Sequence, residues 1–234
     1  MQVFYAPDIS GNSFVLDENE SRHCVKVLRL GKSDVVKLID GKGNLYEGVI
    51  IEPNPKACVI NISNVIKDYQ QRPYRLHLVV SPLKNPERFD WLIEKCVEIG
   101  VDEITPVICN KTEKMSIRKE RVESIIISAM KQSLKATLTV LNPVTGFREM
   151  ISQNRSGLKL IAHCSDKYER KSIMQVYKGE KEILFLIGPE GDFTGDEIQE
   201  AVSKGFVSVH LGSSRLRTET AAIAACLSIY LLNQ

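Results

Sequence analysis

Ile183-Leu-Phe-Leu-Ile187 runs into Gly188-Pro-Glu-Gly-Asp-Phe-Thr194, and Val207-Ser-Val-His-Leu211 runs into Gly212-Ser-Ser-Arg-Leu-Arg-Thr-Glu-Thr220. In both cases an apolar run of strand length empties into a loop rich in small residues, and the loop opens a helical pattern. Strand, loop and helix in that order build a parallel α/β sheet, where ligands bind outside the carboxyl ends of the strands. One such loop reads as a turn. Two in succession, the second carrying Arg215, Arg217 and Glu219, predict one crevice with a ligand in it.

The same grammar extends back to about residue 72. Leu76–Val80 is a continuous apolar strand, and Asn85-Pro86 opens a helix as N-cap and first-turn proline. That helix carries Phe89, Leu92, Ile93, Cys96 and Val97 on one face and stops at Gly100. Strand Ile104–Ile108, a helix from about Ile117 to Leu134 and strand Leu158–Ala162 follow. Thr194 with Glu197 forms the capping box of a helix that ends at Gly205. The last helix, Thr218 to Leu232, is apolar almost all round and has to be covered on both sides, by the rest of the chain or by a second copy of it. Residues 1 to about 70 read instead as short strands, Val3–Tyr5, Ser13–Leu16, Val35–Ile39, Leu45–Ile51 and Ala57–Val65, around one helix from Asn19 to Leu28. Such closely spaced strands suggest a small barrel. The boundary falls near Gln70-Gln-Arg-Pro73, which predicts domains at 1–70 and 72–234.

The 234 residues, 43% hydrophobic and 26% charged, are ordinary for a soluble globular protein. A net charge of +2 argues neither for nor against nucleic acid, but residues 111–135 hold seven Lys and Arg against three Glu. That stretch reads either as a solvated helix face or as a basic face for phosphates. The six cysteines show no C-x-x-C and no disulfide-like spacing, which suits reduced thiols in a cytoplasmic protein. The four histidines are scattered, so no metal site is expected. No signal-peptide pattern opens the chain and no apolar run reaches membrane-spanning length.

Neither glycine loop carries the G-K-[ST] of a P-loop, the G-x-G-x-x-G of a dinucleotide site or a G-x-S-x-G nucleophile elbow. What remains is a pocket of backbone amides and carbonyls, suited to a neutral or zwitterionic ligand such as an adenosine-bearing cofactor. Leu186-Ile-Gly-Pro-Glu-Gly-Asp-Phe-Thr194, followed by Leu211-Gly-Ser-Ser-Arg-Leu-Arg-Thr-Glu-Thr-Ala221, closely resembles the RsmE family of small-subunit ribosomal RNA methyltransferases, which make 3-methyluridine. The resemblance runs the whole chain. It includes His23-Cys-Val-Lys-Val-Leu-Arg29, Lys84, Arg88, Leu92-Ile-Glu-Lys-Cys-Val-Glu-Ile-Gly-Val101 and Gln132-Ser133. Three positions depart from the family pattern: Asp192 stands where glycine is usual, Lys131 where an acid is usual, and Lys135 where arginine is usual. Asp192 alters the rim of the expected pocket, and Lys131 adds charge to an expected RNA face.

The resemblance implies an N-terminal PUA-like β-barrel that binds RNA, and a SPOUT-type α/β domain with a C-terminal trefoil knot. It also implies S-adenosylmethionine in the knot loops, 16S ribosomal RNA as substrate within the small ribosomal subunit, and an obligate homodimer without metal or membrane. On that footing Arg217 and Glu219 are the catalytic candidates. Arg217 cannot be a base, because guanidinium does not deprotonate in proteins; it would donate to uracil O2 or O4 as charge develops. Glu219 or Glu190 would orient Arg217 or accept the N3 proton, and the base stays open between them. Cofactor contacts are expected from His163, Ile187, Gly188, Glu190, Gly191, Leu211, Gly212, Ser213 and Leu216, although His163 reads equally well as a core histidine. Arg22, His23, Arg29, Lys84, Arg88 and Lys95 are the candidates for RNA phosphates. Two rivals remain: an RNA-binding protein with no cofactor, and a methyltransferase of the same fold acting on a 2′-hydroxyl or on transfer RNA.

Overall fold

In the computed structural model, which describes residues 3–234, the chain divides into two units, one reaching to residue 71 and including 127–138, the other holding 72–126 and 139–234. Short β-branched and aromatic runs make the first unit: β1 (Val3–Tyr5), β2 (Ser13–Val15), β3 (Val35–Ile39), β4 (Leu45–Glu52) and β5 (Val59–Ile66). They hydrogen-bond in the order β1-β3-β4-β5-β2, with β1 parallel to β3 and the other pairs antiparallel. The closed barrel expected from strand spacing is therefore corrected to an open sheet with β1 and β2 as its edges. Closure needs a ladder between the two edge strands, and among the described residues β1 pairs only with β3 and β2 only with β5. Phe4, Leu16, Leu38, Ile50 and Ile60 fill the core on one face.

The helix expected over Asn19–Leu28 is two pieces. α1 (Glu18–Arg22) is capped by Asp17, whose side chain accepts from the Glu20 amide at 2.8 Å, and it continues as a π-helical turn over His23–Val27. The wider turn seats Cys24 in the core and is followed by Arg29 in the left-handed region at φ 60°.

Apolar strands alternating with capped helices make the second unit: β6 (Arg75–Val80), α2 (Pro86–Ile99), β7 (Glu103–Ile108), α3 (Lys119–Gln132), β8 (Val140–Leu141), β9 (Thr145–Gly146), α4 (Phe147–Ser152), β10 (Leu158–Ala162), β11 (Lys171–Ser172), α5 (Ile173–Val176), β12 (Glu182–Ile187), α6 (Gly195–Ser203), β13 (Val207–His210) and α7 (Thr218–Leu231). The sheet order is β11-β13-β10-β12-β6-β7-β8, parallel throughout. Strand periodicity sends Val79, Val107, Ile161, Leu184 and Leu186 to one face, where α4 and α6 cover them with Phe147, Met150, Ile151, Ile198 and Ala201. α2 and α7 pack on each other, and α7 also packs on β6 and β12. The chain thus travels from β13, near one edge, back to the middle of the sheet.

Three features were not given by the sequence pattern. Residues 127–138, placed by periodicity in the second domain, belong to the first unit. There the Lys131 ammonium pairs with Glu20, and the Leu138 amide donates to the Gly41 carbonyl at 2.9 Å. Lys131 is thus engaged within the protein rather than presented on a basic face. The chain itself covers α7 on one side: Ala222, Ala225, Cys226 and Ile229 are buried, whereas Leu227, Leu231 and the adjoining Leu232 are 40%, 60% and 41% exposed. Finally, β8, β9, α4, β11 and α5 are too short to show a period and were not legible. No helix among the described residues is long and apolar enough to cross a membrane.

Candidate active site

Because β13, β10 and β12 are neighbours, the loops that follow them converge at one end of the sheet. Residues 163–168 and 170, 187–190 and 192–196, and 209–218 line a cleft of about 1420 Å³. His163, Ile187, Gly188, Glu190, Leu211, Gly212, Ser213, Leu216 and Arg217 all lie on its wall, and Gly191 and Glu219 do not. The loop after β10, with Ser165, Tyr168 and Arg170, also lines it. Nothing in the residue pattern of that loop marks it beyond His163.

Local chemistry shapes these loops. Thr194 caps α6 and accepts from the Glu197 amide, while the Glu197 carboxylate accepts from the Thr194 amide at 2.8 Å and the Asn110 amide at 2.8 Å. Gly212 sits at φ +115°, which a Cβ would strain. Asp192 sits at φ 62°, a region glycine enters freely and aspartate tolerates because its short side chain bonds locally. Its two oxygens accept from the Phe193 and Cys164 amides, each at 2.8 Å, tying the loop after β12 to the loop after β10. A positive φ at this position accommodates glycine and aspartate alike, and the Asp192 side chain adds the tether between the two loops.

His163 is 5% exposed, and neither ring nitrogen has a hydrogen-bond partner. Only its carbonyl is used, accepting from Arg170 at 3.0 Å; the ring meets Tyr168 edge-on at 6.0 Å between centroids. Burial lowers its pKa, and nearby Asp192 partly opposes that shift. With neither nitrogen bonded within the chain, the imidazole has a donor and an acceptor to offer on the cleft wall.

Glu219, in the first turn of α7, grips Arg88 in the first turn of α2 by a two-pronged ion pair of 2.9 and 2.6 Å. Its side chain is only 8% exposed; burial would raise its pKa, but the Arg88 hydrogen bond and charge outweigh that and lower it. Glu219 is thus held ionised against Arg88 rather than turned to orient Arg217, which is exposed on the cleft wall. Other candidates for phosphate contact are also engaged: Lys84 with Glu113, Lys95 with Glu94 and Glu98, Arg22 with Glu18. Arg29 is exposed, and His23 opens the π-helical turn with its ring 6.5 Å from Phe4. Among the described residues no group of three His, Cys, Asp or Glu could hold a metal ion.

Residues 70–230 match the family model of an RNA methyltransferase domain, and residues 16–63 match an RNA methyltransferase PUA domain. A probable rRNA-methyltransferase from Porphyromonas gingivalis superposes with a TM-score of 0.91 at 36% identity, covering 100% of this chain and 98% of that one. The ribosomal RNA small subunit methyltransferase E from Neisseria gonorrhoeae, solved bound to S-adenosyl methionine, also superposes at 0.91, with 30% identity over 99% of this chain and 98% of its own. The protein of the same name from Rickettsia conorii is 30% identical over 217 residues, 90% of this chain and 86% of its own.

Proposed function

Since this chain belongs to the RNA methyltransferase family, in the RsmE branch that modifies small-subunit ribosomal RNA, we propose that it moves a methyl group from S-adenosylmethionine to N3 of a uridine in 16S ribosomal RNA. The observation that carries the reading is the convergence of three strand-end loops on a cleft whose buried His163 has both nitrogens idle. The cleft suits the cofactor chemically. Backbone edges at Ile187–Gly188 and Leu211–Leu216 match a purine and a zwitterionic amino acid, and His163 supplies a neutral donor and acceptor. When bound, the cofactor supplies a methyl group activated on a sulfonium. The chain's own task is positioning and electrostatics. Arg217, exposed on the cleft wall, donates to the uracil oxygens as negative charge spreads over the imide. Glu219 acts through Arg88, fixing the start of α7 on α2 and so the loop that carries Arg217.

Residues 1–70 are assigned to RNA binding, with Arg22, His23 and Arg29 as phosphate contacts, and 72–234 to transfer. The return of the chain from β13 to the middle of the sheet supports a trefoil knot in the last third. Exposed Leu227, Leu231 and Leu232, together with Trp91 on neighbouring α2, support a homodimer through this face. The setting of such a reaction is the cytoplasm, on or before the assembled small ribosomal subunit.

Calorimetry with S-adenosylmethionine and nucleoside mass spectrometry of treated 16S RNA test the reading together. The expected result is cofactor binding, equal with and without chelator, and 3-methyluridine as product. A chain that binds RNA but not the cofactor is a binding protein only; 2′-O-methylation, or transfer RNA as the sole acceptor, moves it to another branch of the fold.

A further inference from the structure

Beside the cofactor cleft lies a second cavity, of about 720 Å³, at the start of α2. Lys84, Asn85, Arg88, Arg118, Arg121 and Glu190 are on its wall, and Arg88 and Glu190 also line the cleft, so the two cavities share a wall. Resting on the function proposed above, the acceptor base has to sit beside the cofactor, out of its RNA stack, and it has to lose its N3 proton, since the neutral imide is a poor nucleophile. We propose that the target uracil sits where this cavity opens onto the cleft, at the wall made by Arg88 and Glu190, so that its oxygens face Arg217 on the cleft side, and that Glu190 takes the N3 proton.

The carboxylates around the two cavities decide the residue. Glu219 is spent on Arg88 with both oxygens, and Asp192 on two backbone amides with both oxygens. Asp166 pairs with Arg170 and Glu113 with Lys84. Glu87 lines only the second cavity and Asp196 only the cleft. Glu190 alone among these acids faces both spaces. It is exposed, and its Oε1 is steadied by the Lys84 amide at 3.1 Å, which leaves Oε2 for a proton. In the step, the N3–H bond breaks and its proton passes to Glu190. The electron pair left on N3 forms the new N–methyl bond while the methyl–sulfur bond breaks, its pair remaining on sulfur as a neutral thioether. Glu190 then returns the proton to water. On the wall of the same cavity the exposed Arg118 is assigned to the backbone phosphate of the flipped nucleotide; Arg121 is held by Asp90 at 2.6 Å.

The test uses Glu190→Gln, which keeps an acceptor for the Lys84 amide, with Glu190→Asp and Arg118→Ala as companions. Three quantities are read: S-adenosylhomocysteine affinity by calorimetry, binding of a 16S transcript without cofactor, and the pH profile of single-turnover methylation. Glu190→Gln is expected to keep both affinities and lose about 10²–10⁴-fold in rate. Its residual rate should climb with pH where the wild type is flat, and a transcript carrying the more acidic 5-fluorouridine should narrow the gap. Glu190→Asp should retain the flat profile at a reduced rate. Arg118→Ala should weaken cofactor-free RNA binding severalfold without touching S-adenosylhomocysteine. A wild type that makes 3-methyluridine while Glu190→Gln keeps the wild-type rate, or its flat profile, overturns the proton assignment alone. Unchanged RNA binding in Arg118→Ala overturns the seat. A wild type that makes no 3-methyluridine overturns the proposed function and this inference with it.

Discussion

Single side chains at the cleft divide into those that wait for something and those already engaged. Arg217 waits: Arg217→Ala should lose methylation by about a hundredfold or more, the scale of one transition-state donor, with little change in cofactor affinity measured by calorimetry. Arg217→Lys should rescue poorly, because a point ammonium cannot copy the planar fork. Equal loss of affinity and rate would mean that Arg217 builds the pocket instead. Arg88 and Glu219 are engaged, so Arg88→Ala strands a nearly buried carboxylate and should cost about 1–3 kcal/mol in denaturant unfolding. Away from the cleft, His77 bonds Thr105 at 2.7 Å and Arg155 at 2.8 Å. Burial, and then the Arg155 guanidinium, push its pKa down to about 4, against the pull of Glu103. The unfolded chain takes up that proton near pH ~6.5, so between there and about 4 the unfolded state binds more protons. Stability should therefore fall as pH falls through this window, with a slope approaching ~1.4 kcal/mol per unit from this group. Urea titrations of wild type and His77→Gln check it; parallel curves would refute the assignment.

At the scale of the element, the positioning of Arg88 and Glu219 depends on how α2 and α7 begin. Asn85 caps α2 by accepting from the Glu87 and Arg88 amides at 2.8 and 3.3 Å. Asn85→Ala should cost about 1 kcal/mol of stability. It should also lower methylation, because the turn that frays carries Arg88 and borders the cavity assigned to the base. Stability lost with full activity would separate the cap from the site. This cap was legible because Asn-Pro before an apolar period is a short-range signal. The π-helical turn at His23–Val27 was not legible, since one extra residue per turn leaves the apolar spacing of a short helix almost unchanged.

For the whole molecule, the consequence lies in the uncovered side of α7. Leu231, 60% exposed, and its neighbours Leu227 and Leu232 form the apolar face on which the homodimer is proposed. The wild type should sediment as a dimer across dilution, and Leu231→Glu should be a folded monomer, because the charge would otherwise be buried unpaired. A wild-type monomer at micromolar concentration would sink the dimer reading. An apolar helix announces that it needs cover, but the pattern cannot name the cover; here α2 and the sheet supply only half.

The sequence by itself determined the five long strands of the second unit, β6, β7, β10, β12 and β13, the capped helices between them, and the prediction of a crevice at the strand ends. Apolar runs, the Asn85 and Thr194 caps and the Gly100 and Gly205 stops act within a few residues and mean the same in any context. Only the tertiary structure decided which partners those residues meet. Arg88 finds Glu219 across 131 positions, Lys131 finds Glu20, the edges of the first sheet stay apart, and 127–138 joins the first unit. Glu190 stands out only once two cavities are seen to share a wall. Periodicity carries the direction of a side chain but not the distance to anything it will touch, and ion pairs and cavities are made of distances.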